Sequence, residues 1–190
     1  MIEWAVLDKF ATPADVVKRA EEAQGAGLCV APHLLASVPE TVARVSSVCG
    51  YPDGTHHPLI KATEARFAVQ NGAVEIALVP NLGAVRAGDM NALLAEVVAV
   101  REAITEHVEL TVILEPDPNL RDAIDMVAKA GATCVQAGTR LSTPTALAPY
   151  LGKLPVKAVG TAAQAEDLLA AGASHVLMLD AVAPRCPEDH

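Results

Sequence analysis

The sequence predicts an α/β fold, a compact (β/α)8 TIM barrel whose last helix is short or missing. Two observations predict it. Eight short apolar runs recur along the 190 residues, each nearly continuous rather than alternating, as parallel strands covered on both faces are. Ala-rich segments with helical patterning separate them, and several close on glycine, the residue that takes the left-handed conformation at a helix end without steric cost.

Taken in order, EWAVL (3–7) is the first strand, and Thr12-Pro13 then starts a helix over 13–25, with an N-cap residue before proline at the first helical position. AQGAG (23–27) ends that helix and LCVAP (28–32) follows as a strand. A helix is expected over 33–43, then the strand VSSVCGY (45–51), then a helix over 58–71 closed by QNGA. VEIALVP (74–80) leads into a long helix over 87–107, and LTVILEP (110–116) into one over 119–130 closed by KAGA. TCVQAGT (133–139), a helix over 144–151, PVKAVGT (155–161), a helix over 162–171 closed by AAGA, and HVLMLD (175–180) complete the set. Ten residues follow, interrupted by Pro184 and Pro187, so an eighth helix is expected to be absent or vestigial. Residues 1–183 then form one barrel domain and 184–190 a C-terminal tail, and the flank left open is a place for a second copy in a homodimer.

Hydrophobic residues make up 52% and charged ones 19%, enough for a sizeable core. A formal net charge of −9 and only five aromatic residues (one Trp, two Tyr, two Phe) argue against a nucleic-acid surface. No apolar run approaches the ~18 residues of a membrane span, and the N-terminus has no basic segment followed by an apolar stretch. Cys29, Cys49, Cys134 and Cys186 form no C-x-x-C pair, so reduced thiols and a cytoplasmic location are expected.

In a barrel of this kind chemistry gathers at the C-terminal strand ends. Lys157, inside PVKAVG, is the sharpest feature: burial lowers a lysine pKa, and a neutral amine attacks carbonyls. The alternative is a structural lysine paired with Glu115 or Asp180, at other strand ends. Gln136, a neutral amide within a short apolar strand, needs partners; Lys157 or a strand-end carboxylate is the expected one. Cys49, Asn81, Thr139, Gly160 and Thr161 are candidate ligand contacts, all at or near strand ends. Adjacent His56 and His57 point to opposite sides of an extended segment, a poor metal pair, and no metal site is expected.

VSSVCGYPDGTHHPLIKATEARFAVQNGAVEIALVPNLGAVRAGD resembles the middle of the deoxyribose-phosphate aldolases, with their V-x-G-F-P-x-G turn, N-G-A-D-E-I-D and V-x-N-x-G-A-x-x-G-D. VELTVILEP is similar to their K-V-I-L-E-T strand, LPVKAVG to V-K-A-A-G-G, and GLCVAP to V-C-V-x-P. The resemblance implies a class I aldolase barrel that cleaves 2-deoxyribose 5-phosphate through a Schiff base on lysine, without cofactor, and so a small aldehyde or sugar-like ligand. It also implies departures. Gln136 stands where the family's K-T-S-T-G strand carries the Schiff-base lysine, Ala77 where its aspartate ends E-I-D, and Thr111 where a lysine opens K-V-I-L-E. Lys157 matches the family's second lysine; Glu75, Glu115, Asn81, Gly83 and Asp89 also match. In the phosphate loops Gly160 remains, while Thr161 and Ala163 replace Gly and Arg, and Asp180 brings a carboxylate. Cleavage of 2-deoxyribose 5-phosphate is therefore expected to be weak or absent. The alternatives are a catalytically silent barrel that binds a small molecule or a partner, and different carbonyl chemistry on a non-phosphorylated substrate using Lys157 with Glu115 or Asp180.

Overall fold

Every one of the eight apolar runs forms a strand. The computed structural model describes residues 1–179. Its strands are β1 (Ile2–Val6), β2 (Gly27–Val30), β3 (Val45–Cys49), β4 (Glu75–Leu78), β5 (Glu109–Leu114), β6 (Cys134–Ala137), β7 (Val156–Gly160) and β8 (His175–Met178). Each pairs in parallel with the next, and β8 closes on β1, aligning Ile2, Glu3 and Trp4 with Val176, Leu177 and Met178. The result is a closed (β/α)8-type barrel. Strands such as β2 and β7 are buried at every position, because helices cover one face and the barrel interior takes the other.

The helices follow the expected order with three corrections. α1 (Pro13–Glu22) starts as expected: the Asp15 carboxylate accepts the Thr12 N–H at 2.8 Å while Thr12 Oγ1 accepts from the Asp15 N–H, a reciprocal cap. It ends earlier than 25, since Gln24 and Gly25 turn to positive φ. No α-helix fills 33–43. A 3-10 turn spans Pro32–Ser37, and Val38 is held extended by the proline that follows it. α3 (Leu82–Arg86), capped by Asn81, is a short helix outside the expected set, and the helix expected over 87–107 is shorter at both ends: α4 (Met90–Ala103), capped by Asp89, with Gly88 at φ 72° separating it from α3. α2 (Pro58–Gln70), α5 (Leu120–Lys129), α6 (Pro144–Leu147) and α7 (Ala165–Ala170) lie within their expected ranges; short 3-10 turns extend α6 and precede α7. The expected tail, and the ground for a missing eighth helix, lie outside the described residues.

Successive side chains of a strand alternate between helix layer and barrel interior. The main apolar core lies between sheet and helices, with Leu28, Leu78, Leu114 and Val176 meeting Val16, Ala65, Val97 and Ile124 among others. A second apolar cluster of Cys29, Val48, Ala77, Val79, Ile113 and Leu177 fills the upper interior. Below it the interior is ionic.

Candidate functional site

Lys157, the second residue of β7, points into the barrel and is 2% exposed. Its Nζ donates to Glu3 Oε2 at 2.8 Å and to Glu75 Oε1. Arg44 reaches the same carboxylates from below: Nε donates to Glu3 Oε1 at 3.2 Å and Nη2 to Glu75 Oε2 at 3.0 Å. Thr111 Oγ1 adds a bond to Glu75 at 2.6 Å. Burial alone would lower the Lys157 ammonium, but the Glu75 and Glu3 carboxylates outweigh it and hold the pKa above an ordinary lysine's. Burial would raise Glu75, yet Lys157 overrides it and the carboxyl is held low. This corrects the expectation of a neutral amine, and of Glu115 as the partner. Asp180, the other expected partner and an expected acid or base, lies outside the described residues.

Above this cluster, Gln136 projects from β6 into the barrel mouth and is 3% exposed. Its Nε2 donates to the Gly138 carbonyl at 2.9 Å. Among the described residues no hydrogen bond joins it to Lys157 or to a carboxylate, which corrects the expectation of Lys157 as its partner: the backbone two residues on takes the amide instead. Its Oε1 is buried with no hydrogen-bond partner among the described residues. The mouth is a cavity of about 20 Å³ whose walls include Cys29, Val48, Tyr51, Ala77, Ile113 and Leu177, with Thr139 at the edge. Burial and the Glu3 carboxylate push the Cys29 thiol up to about 12, so it stays protonated and unreactive at neutral pH. A wider groove of about 430 Å³ runs outside the barrel along the end of β1 and one side of α1, sharing Leu7, Tyr51 and Leu179 with the mouth.

Glu115 lies at the end of β5, where Oε1 accepts the Thr139 N–H at 3.0 Å and the Thr139 hydroxyl at 2.8 Å. The structure thus brings Gln136, Thr139 and Glu115 to one place, but Glu115 is occupied in holding the loop after β6. Cys49 points the other way, into the core between sheet and helices; Val48 and Tyr51 face the mouth instead. Asn81 is a helix cap, accepting from the Gly83 and Ala84 N–H groups. Gly160 is glycine for packing: a Cβ there would come within 2.5 Å of Leu168 Cδ1. Thr161 is engaged locally, its N–H and hydroxyl both donating to Gln164 Oε1 at 3.1 Å.

Sequence reasoning missed Glu3, Arg44, Cys29 and Tyr51. Alternation along β1 places Glu3, Ala5 and Leu7 on one face and could have found Glu3; nothing local marks Arg44, which precedes β3. Among the described residues no group of three His, Cys, Asp or Glu side chains could hold a metal ion, and no helix is long and apolar enough to cross a membrane.

No protein-family model matches the chain. It is 37% identical over 195 aligned residues to the deoxyribose-phosphate aldolase of Nocardia farcinica, covering 92% of this chain and 87% of that one. The Frankia alni deoxyribose-phosphate aldolase is 34% identical over 205, covering 93% and 90%. Among solved structures, the tetrameric deoxyribose phosphate aldolase of Aeropyrum pernix superposes with a TM-score of 0.78 at 23% identity, over 93% of this chain and 84% of that one, a likeness of fold. With more than a third of its residues identical over nearly its full length, the chain belongs to the deoxyribose-phosphate aldolase family.

Proposed function

We propose that this chain is a deoxyribose-phosphate aldolase-family barrel that has given up imine chemistry and serves as a catalytically silent binder of a small uncharged molecule. The observation that carries the reading is the engagement of Lys157 by Glu3 and Glu75. An imine needs a neutral amine. An ordinary lysine, with pKa about 10.4, is neutral in roughly one molecule in 2,500 at pH 7, and the two carboxylates make that form rarer here. The resemblance puts the family's Schiff-base lysine at Gln136, whose amide cannot form an imine. At the end of β7 Thr161 offers a phosphate group little among the described residues, since its N–H and hydroxyl are already satisfied by Gln164.

Incubation with acetaldehyde followed by borohydride, with peptide mapping by mass spectrometry, tests this directly, alongside an assay of 2-deoxyribose 5-phosphate cleavage. No adduct on Lys157 and no cleavage are expected. A stoichiometric adduct there, or turnover, would overturn the reading.

A further inference from the structure

The hydrogen-bonding character of the barrel mouth says which uncharged molecule it takes. The Gly138 carbonyl can only accept, so the NH2 end of the Gln136 amide must face it, at 2.9 Å. That fixes Oε1 on the other side of the amide plane, buried and without a partner among the described residues. A buried acceptor left unmatched is costly, and here it belongs to a side chain that lines a cavity of about 20 Å³. Thr139 offers no donor either, because its hydroxyl hydrogen goes to Glu115. Around the amide the walls are apolar: Val48, Ala77, Ile113 and Leu177, with the protonated thiol of Cys29.

We propose that the mouth selects a hydroxyl on an uncharged short carbon chain and discriminates against carbonyl groups. The hydroxyl donates to Gln136 Oε1, and the carbon chain runs past Tyr51 into the wider groove that shares Leu7, Tyr51 and Leu179 with the mouth. A carbonyl oxygen brings a second acceptor to an acceptor and leaves both unmatched. A charged ammonium could donate, but it would be stripped of water against these apolar walls, and no carboxylate lines the mouth among the described residues to pair it. Water can also serve Oε1; a hydroxyl on carbon does better because its alkyl part leaves water as it binds. The inference rests on the reading that no imine forms at this site.

The test is titration of the intact protein with matched pairs of probes: ethanol against acetonitrile, and propan-2-ol against acetone. Within each pair the size is equal and only the first member can donate. The readouts are the Gln136 side-chain amide resonance, assigned by its loss in Gln136→Leu, and the methyl resonances of Ala77, Ile113 and Leu177. Saturable shifts are expected from ethanol and propan-2-ol at about five-fold lower half-saturating concentration than from their partners, the factor one net hydrogen bond supplies. In Gln136→Leu that preference should vanish. Equal or tighter binding of acetone or acetonitrile, or no saturable shift with any probe, overturns the proposal; the wild-type titration decides this even if the variant does not fold. Failure of the underlying reading looks different, as a borohydride-trapped acetone adduct on Lys157.

Discussion

At the scale of the residue, Lys157 and Gln136 sit side by side in register across β6 and β7 and do opposite things. Lys157 is a charge the barrel needs. With Arg44 it neutralises Glu3 and Glu75, each 1% exposed. Lys157→Met should leave those carboxylates with Arg44 alone and lower unfolding free energy by about 3–5 kcal/mol, the usual effect of removing one partner of a buried ion pair. Urea denaturation measures it; a loss under about 1 kcal/mol, the worth of a surface pair, would mean that Lys157 is not structural. Gln136 is a position the barrel can spare. Gln136→Lys would put an amine among Cys29, Ala77, Ile113 and Leu177, where burial lowers its pKa, next to a lysine whose own charge is already balanced. Acetaldehyde and borohydride should then label position 136 in the variant and leave the parent unlabelled. Absence of label in a folded variant would show that more than the nucleophile is missing.

At the scale of the element, the loops around the mouth are held from outside the barrel. Lys61 of α2 is wholly buried and donates to the Gly54 carbonyl at 2.7 Å and to Glu96 of α4. Glu96 Oε2 in turn accepts the Asn81 N–H at 2.8 Å, and Glu64 accepts that of Gly50 at 2.7 Å. This clamp joins α2, α4 and the loops after β3 and β4, and it flanks Tyr51 on both sides in the chain. It also explains Gly54, where a Cβ would lie 2.0 Å from the Pro80 carbonyl oxygen. Lys61→Met should destabilise by about 3–5 kcal/mol, because Glu96 stays buried without its cation. A double-mutant cycle with Glu96→Gln should show coupling of about 0.5–3 kcal/mol, as expected for residues in contact; additive melts would show that the pair is not a unit. The clamp was not legible in the sequence. α2 buries Lys61 and exposes Leu59, Ile60 and Phe67, so hydrophobic periodicity points away from its true inner face. The strands were legible because each is apolar on both faces. The false helix over 33–43 came from overlooking what Pro39 does to Val38, and the start at 87 rather than 90 from overlooking Asp89 as the cap.

At the scale of the whole molecule, closure of the barrel brings together groups that no local pattern connects. Lys157 meets Glu3 and Glu75 across 154 and 82 residues of chain. Sequence reasoning could therefore place Lys157 and Gln136 in the interior, through strand order and the family motifs, yet choose the wrong partners for both. The same closure ties stability to pH. Glu75 is held low by Lys157, so its contribution is present above the unfolded carboxyl pKa of about 4.3 and is lost as pH falls through its folded value. Lys157 is held high by Glu75 and Glu3, so its contribution is present below about 10.4 and is lost only as pH rises beyond that toward its folded value. His175 is held low by burial and by Lys157, so the fold resists its protonation, and stability starts to decline below the unfolded histidine pKa of about 6.5. Urea midpoints should be flat between about pH 7 and 10, fall gently below about 6.5, and fall again below about 4.3. In Lys157→Met the Glu75 carboxyl loses its chief stabilising charge and His175 loses the cation that opposes its protonation. The fall in stability below about 4.3 should then be shallower than in the parent, because a folded carboxyl that is less depressed has less to lose on protonation, and the gentle decline near 6.5 should shrink. An acid limb as deep in the variant as in the parent would show that the Lys157–Glu75 pair does not govern the acid stability of the barrel.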